Sequence, residues 1–221
     1  MNALAVSDAV LAACAMLAIA MTLRAQPLRV GLMLAIAGWS ALACAAVLGA
    51  VRYGAWPEVE PLHRGASDLA ASAGMPSVVC GLCLALVRSS RLAWLAVAVP
   101  LAGLVLLPAF MHDAALSRTA GAVLTLSGAL ALLALALKRR QPRAALLAAL
   151  AVLLLILAAA AAAAARERDA GGLVLLHYAL AGAQLAWLMV WRSAGDHRRT
   201  QHSERLIKQY GGVRIDGQMP T

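Results

Sequence analysis

Residues 144–165 read AALLAALAVLLLILAAAAAAAA, from Ala144 to Ala165, without one charged or polar side chain. An α-helix rises about 1.5 Å per residue, so about 20 apolar residues cross a hydrocarbon core roughly 30 Å thick. A helix of this length on a water-soluble domain carries a polar face. This run has none, and it predicts a membrane span. Outward from it the chain holds six further runs of the same kind: Ala3–Leu23, Val30–Val51, Gly65–Val87, Leu92–Met111, Thr119–Leu137 and Gly171–Trp191. The fifth in chain order has the least sharply marked start, which can slide toward Ala114. Barrel strands alternate apolar and polar residues over about ten positions, and these runs do not alternate. The expected fold class is an all-α, polytopic membrane protein with seven transmembrane helices in residues 1–192. A basic, flexible cytoplasmic tail is expected over residues 193–221.

Composition agrees with that reading. Of 221 residues 63% are apolar and 13% charged, where soluble chains average about half and about a quarter. With a mean hydropathy of +0.81, a soluble enzyme, a secreted disulfide scaffold and a disordered chain are all excluded. The four cysteines, Cys14, Cys44, Cys80 and Cys83, fall inside apolar runs, so no disulfide framework is implied. Cys80-Gly-Leu-Cys83 has the spacing of a redox motif, but the nearest cation in sequence is Arg88, and packing explains it better. The first run lacks a positive flank and exceeds a leader's apolar stretch, so it is expected to remain as a span.

The net charge of +9 does not point to nucleic acid, because the basic residues sit in short clusters between spans. On one side lie Arg24, Arg29, Arg88, Arg91, Lys138, Arg139, Arg140, Arg143, Arg192, Arg198, Arg199, Arg205, Lys208 and Arg214, 14 in all; on the other lie Arg52, Arg64, Arg118, Arg166 and Arg168. The positive-inside rule then puts the N-terminus outside and the C-terminus in the cytoplasm of a cell whose inner or plasma membrane holds the chain. Trp94, Trp187 and Trp191 are expected at the inner interface, and Tyr53 and Trp56 at the outer one. The partners implied are membrane lipids and a lipid-like ligand.

Ionisable residues inside spans are costly and mark function by default. Here they gather in one layer near the outer ends of the helices: Asp8, Asp68 and His177, with His63, His112 and Asp113 in the connections beside them. Imidazoles and a carboxylate at one depth suit zinc, which takes His and Asp or Glu ligands. Helix caps and solvated loop residues explain the same layer without chemistry. A second polar layer lies nearer mid-membrane: Trp39, Ser40, Ser72 and Gln184, with Thr125 and Ser127. Interhelical hydrogen bonds account for it; the alternative is the wall of a pocket descending from the outer cluster. Pro76, Pro100 and Pro108 are expected to kink the third and fourth helices. The only lysines, Lys138 and Lys208, lie outside the spans, which excludes a Schiff-base retinal protein. No nucleotide-binding fingerprint is present.

Seven spans with an outer N-terminus, an Asp at the start of the third helix (Asp68) and a His in the seventh (His177) resemble the superfamily of alkaline ceramidases and progestin/adiponectin-type receptors. The resemblance covers the layout of the spans and only scattered positions. It implies a zinc-dependent hydrolase of lipid-like amides or esters, with Asp68 and His177 as ligands, His63 or His112 completing the shell, and Asp8 orienting a ligand or the metal-bound water. The chain departs from the family where the second helix ends Gly49-Ala50-Val51-Arg52 without a His, and where Ala181 stands four residues after His177. The rival expectation is a non-catalytic membrane sensor or a scaffold acting through its basic tail.

Overall fold

A computed structural model describes residues 2–24, 30–87, 113–165 and 170–210. All the regular structure among them is helical, and six helices are long and apolar enough to cross a membrane. We number the α-helices α1 (Ala3–Leu23), α2 (Val30–Gly54), α3 (Glu60–Leu69), α4 (Met75–Leu86), α5 (Ala114–Lys138), α6 (Pro142–Ala165) and α7 (Ala170–Tyr210). A 3₁₀ turn, Pro57–Val59, leads into α3, and a π-helical turn, Ala70–Gly74, joins α3 to α4. The predicted fourth span, Leu92–Met111, and His112 lie outside the described residues.

Local chemistry sets the boundaries. Asn2 caps α1, its side chain accepting from the Leu4 N–H at 3.1 Å. Asp113 Oδ1 accepts from the Leu116 N–H at 3.1 Å and opens α5 in the same way. That fifth span therefore begins at Ala114, five residues before Thr119. At its other end Arg140 takes a positive φ of 53°. There the Gln141 N–H reaches the Ala136 carbonyl and the Arg140 N–H reaches that of Leu137, a Schellman-type stop, and Pro142 then opens α6.

The third span differs from the sequence expectation of one helix over Gly65–Val87. Pro76 has no N–H to give the carbonyl of Ser72, and its ring crowds that group. The helix widens there into the π turn, which separates polar α3 from apolar α4. The last apolar stretch, Gly171–Ser193, agrees with the expected span to Trp191, and α7 continues beyond it as a helix to Tyr210. From Asp196 to Tyr210 the sequence contains neither Gly nor Pro, and the next helix-breaking pair is Gly211-Gly212.

The helices pack in a closed circuit: α1 on α2, α2 on α4, α4 on α5, α5 on α6, α6 on α7, and α7 back on α1. α4 is the most enclosed, with every residue but Leu84 buried. Small residues let α2 and α4 meet backbone to backbone. A Cβ on Gly31 would fall 2.7 Å from the Ala85 amide nitrogen, and one on Gly38 would fall 2.8 Å from that of Val78. The outward faces are apolar, as on α6, where Leu146, Leu150, Leu153, Ile156 and Leu157 are exposed. Trp187 is fully buried in the bundle.

The ends of the bundle are identified by two polar contacts. Arg139, just beyond α5, donates to the carbonyl of Leu86 at the end of α4. At the opposite end Arg118, near the start of α5, pairs with Asp68 at 3.0 Å. Val87 and Asp113 thus lie at opposite ends of the bundle. The N-terminus, the α2–α3 connection and the start of α7 share the end that carries Asp68.

Candidate functional site

Three of the sequence-predicted residues, Asp8, His63 and His177, come together at that end. Asp8 lies in the second turn of α1, only 2% exposed. Its Oδ1 is 3.4 Å from His177 Nδ1 on α7. Ser7 Oγ is 3.0 Å from the same ring nitrogen and donates its one hydrogen to the Leu4 carbonyl at 2.9 Å. In the tautomer that matches this bond the hydroxyl accepts from His177, Nδ1 bears the hydrogen of the neutral ring and Nε2 keeps a lone pair. Ser7 and Asp8 both address Nδ1. This is not a Ser–His–Asp nucleophile arrangement, in which serine and carboxylate bind opposite ring nitrogens.

His63, on α3, carries the opposite tautomer. Arg52 Nη1 lies 3.2 Å from His63 Nδ1. A guanidinium only donates, so Nδ1 accepts and the ring's hydrogen resides on Nε2. Arg52 is held by Glu60 at 3.1 Å and by the Tyr53 ring, whose centroid is 4.9 Å from the guanidinium carbon. Tyr53 also meets the His63 ring edge to face. The three elements converge because α2 carries a glycine, Gly49, in its last turns facing α1. A Cβ on Gly49 would stand 2.9 Å from His63 Nε2 and closer still to Asp8 Oδ2. Gly49 thus admits both side chains. Asp8 Oδ2 is buried without a hydrogen-bond partner.

Asp68 does not join them. It is five residues from His63, about 140° away around a helix at 100° per residue, and it faces Arg118 on α5. It lines an open cleft along α3 with Pro57, Glu60 and Arg64. Asp113 caps α5. In the inner layer Trp39 Nε1 donates to Gln184 Oε1 at 2.6 Å with both residues fully buried, and Gln184 Nε2 reaches Met75 Sδ at 3.1 Å. Ser40, one position round from Trp39, faces outward and bonds the Ile36 carbonyl. Ser72 bonds the Asp68 carbonyl at 2.6 Å. Trp39 and Gln184 therefore form a bond between α2 and α7, while both serines turn back on their own chain.

The donor set was tested for zinc. Catalytic zinc sites use three protein ligands. His177 Nε2 and Asp8 Oδ2 qualify, but His63 Nε2 is occupied by the hydrogen that Arg52 imposes, and the guanidinium beside it disfavours a second cation. Among the described residues no three His, Cys, Asp or Glu gather as a metal-holding group. Sequence reasoning missed Ser7, Gly49 and Arg52; the one visible signal was the Ser7-Asp8 pair in an otherwise apolar stretch.

An apolar groove runs beside the site, lined by Asn2, Leu4, Val174, Leu175 and Tyr178. It lies one helical turn from Ser7 and His177, between the first turns of α1 and α7. No protein-family model, curated protein or solved structure matches the chain.

Proposed function

We propose that the chain is a seven-span protein of the inner or plasma membrane, N-terminus outside and C-terminus cytoplasmic, that hydrolyses lipid-like amides or esters. The topology rests on the excess of basic residues on one side, 14 against 5. The opposite placement of Val87 and Asp113, with the apolar run Leu92–Met111 between them, supports an additional span. The chemistry rests on one observation: Asp8 and Ser7 hold Nδ1 of a largely buried His177, which leaves Nε2 as a general base. A positioned base contributes about 10²–10⁴-fold to such a reaction. The groove between α1 and α7 suits an acyl chain arriving from the outer leaflet. His177 Nε2 takes a proton from water as it attacks the carbonyl carbon, and returns it to the leaving amine or alcohol.

The full chain, reconstituted in phosphatidylcholine vesicles, tests this with N-acyl amide and acyl ester substrates. His177→Gln and Asp8→Asn are expected to lower kcat at least 100-fold while thermal unfolding shows a folded protein. Undiminished turnover in both variants, or no hydrolysis by the wild type, would sink the proposal. The continuation of α7 to Tyr210 favours a second reading, a scaffold in which the basic helix beyond the span meets a cytoplasmic partner. In that case removal of residues 194–221 abolishes function and alanine at His177 does not.

A further inference from the structure

The orphaned Asp8 oxygen and the Nε2 of His63 both stand over Gly49. Both Asp8 Oδ2 and His63 Nε2 lie within 2.9 Å of the point where a Cβ on Gly49 would stand, so they are less than about 6 Å apart. They do not bond directly, because Oδ2 has no partner. Two O–H···O or N–H···O bonds of about 2.8 Å each, meeting at one oxygen, span about 4.5–5 Å. The separation therefore matches a single bridging atom.

The two termini of that bridge restrict its chemistry. Arg52 fixes a hydrogen on His63 Nε2, so the bridging atom must accept there. As a carboxylate oxygen Asp8 Oδ2 is a buried acceptor, to which the same atom donates. A metal cation or an ammonium group cannot accept a hydrogen bond, and a chloride ion has no hydrogen for the carboxylate. An oxygen that carries hydrogen does both. We propose that Asp8 and His63 form a binding site for one hydroxyl oxygen, that of a water or of a lipid alcohol, seated against Gly49 and held in its orientation by Arg52. The buried carboxylate is the independent mark of the site: an unpartnered polar atom at this depth is rare and asks for a hydrogen-bonding occupant. The inference uses His63 and the second Asp8 oxygen. It stands whether or not His177 acts as a base.

Two measurements on the full chain decide it. The first is a structure in phosphatidylcholine nanodiscs at a resolution that shows ordered water. The second is thermal unfolding in nanodiscs containing 1,2-diacylglycerol, against nanodiscs in which its free hydroxyl is capped as an acetate. An isolated oxygen between Asp8 Oδ2 and His63 Nε2, with equal Tm in both lipids, identifies water as the occupant. Density continuous with an acyl chain, with a Tm increase for diacylglycerol alone, identifies a lipid hydroxyl. For a lipid, His63→Leu is expected to weaken diacylglycerol binding about tenfold, the loss of one buried hydrogen bond. His63→Gln, which keeps an N–H, is expected to recover part of it. For water, the oxygen should vanish in His63→Leu and persist in His63→Gln. A direct Asp8–His63 hydrogen bond with no oxygen between them would overturn the proposal, as would an occupant unaffected by His63→Leu.

Discussion

Trp39→Phe isolates the hydrogen bond between α2 and α7. Both partners are 0% exposed, and the donor–acceptor distance is 2.6 Å. Phenylalanine keeps most of the ring's contact and removes the N–H, leaving Gln184 Oε1 without its donor. An unsatisfied buried acceptor costs about 1–3 kcal/mol, whereas interhelical bonds in membrane proteins average about 0.6 and reach about 1.7 kcal/mol. The structure favours the upper part of the membrane range. Gln184 sits in the bundle's interior, and its amide nitrogen is already committed to Met75 Sδ, a weak acceptor. We expect Trp39→Phe to destabilise by about 1–2 kcal/mol, about a 5- to 30-fold shift in the folded-to-unfolded ratio. Gln184→Leu removes the acceptor and the amide together. The double variant Trp39→Phe/Gln184→Leu should therefore be less destabilised than the sum of the singles, by about 1 kcal/mol of coupling. Reversible unfolding in mixed micelles, followed for all four proteins, measures that term. Strict additivity of the two single changes would refute the reasoning and leave the pair as ordinary packing.

The remaining predictions concern backbone contact, the polar hub and topology. Gly81→Leu should separate α2 from α4, because even a Cβ there would fall 2.6 Å from the Ala35 amide nitrogen; a loss of about 1–3 kcal/mol is expected, read by the same unfolding assay. Gly49→Ala should displace Asp8 and His63 together and lower thermal stability, whereas Gly65→Ala, whose Cβ would meet nothing within 4 Å, should be neutral or slightly stabilising on the α3 surface. Reporter domains fused to the two termini should appear on opposite faces of the membrane, as an odd number of spans requires. Both reporters on one face would remove the seventh span.

Much of the bundle is legible in the sequence because a membrane span is a local property. Ala144–Ala165 and Ala3–Leu23 are defined by their own composition, and their boundaries follow from Pro142, Asn2 and the charged connections. The break in the third span was less visible. Pro76 announced a kink, but the π turn that absorbs it depends on packing against α2 and α5. The site divides in the same way. That Asp8, His63 and His177 share a depth can be counted along their helices, and so can the depth of Asp68. Which of them meet depends on rotation about each helix axis, and apolar runs with nearly uniform hydrophobicity give little rotational signal. Depth and the family resemblance group Asp68 with His177, and the rotation of α3 sends it toward Arg118 instead. The glycine that admits Asp8 was equally silent, since it is one of 17 in the chain and its meaning lies in what stands opposite.

Arg52 sets the difference between the two histidines of the outer cluster. An imidazole offers a lone pair at one nitrogen only when the other carries the hydrogen. At His177 the groups on Nδ1 are acceptors, Asp8 and Ser7, so Nε2 is basic. At His63 the group on Nδ1 is a permanent donor, so Nε2 is a hydrogen-bond donor and not a ligand. One carboxylate lies between these opposed rings: Oδ1 is 3.4 Å from His177 Nδ1, and Oδ2 stands with His63 Nε2 over Gly49. Replacing Arg52 by an acceptor would reverse the second ring and remove the distinction. The division of labour between the two histidines therefore resides in α2, on a residue that touches only one of them.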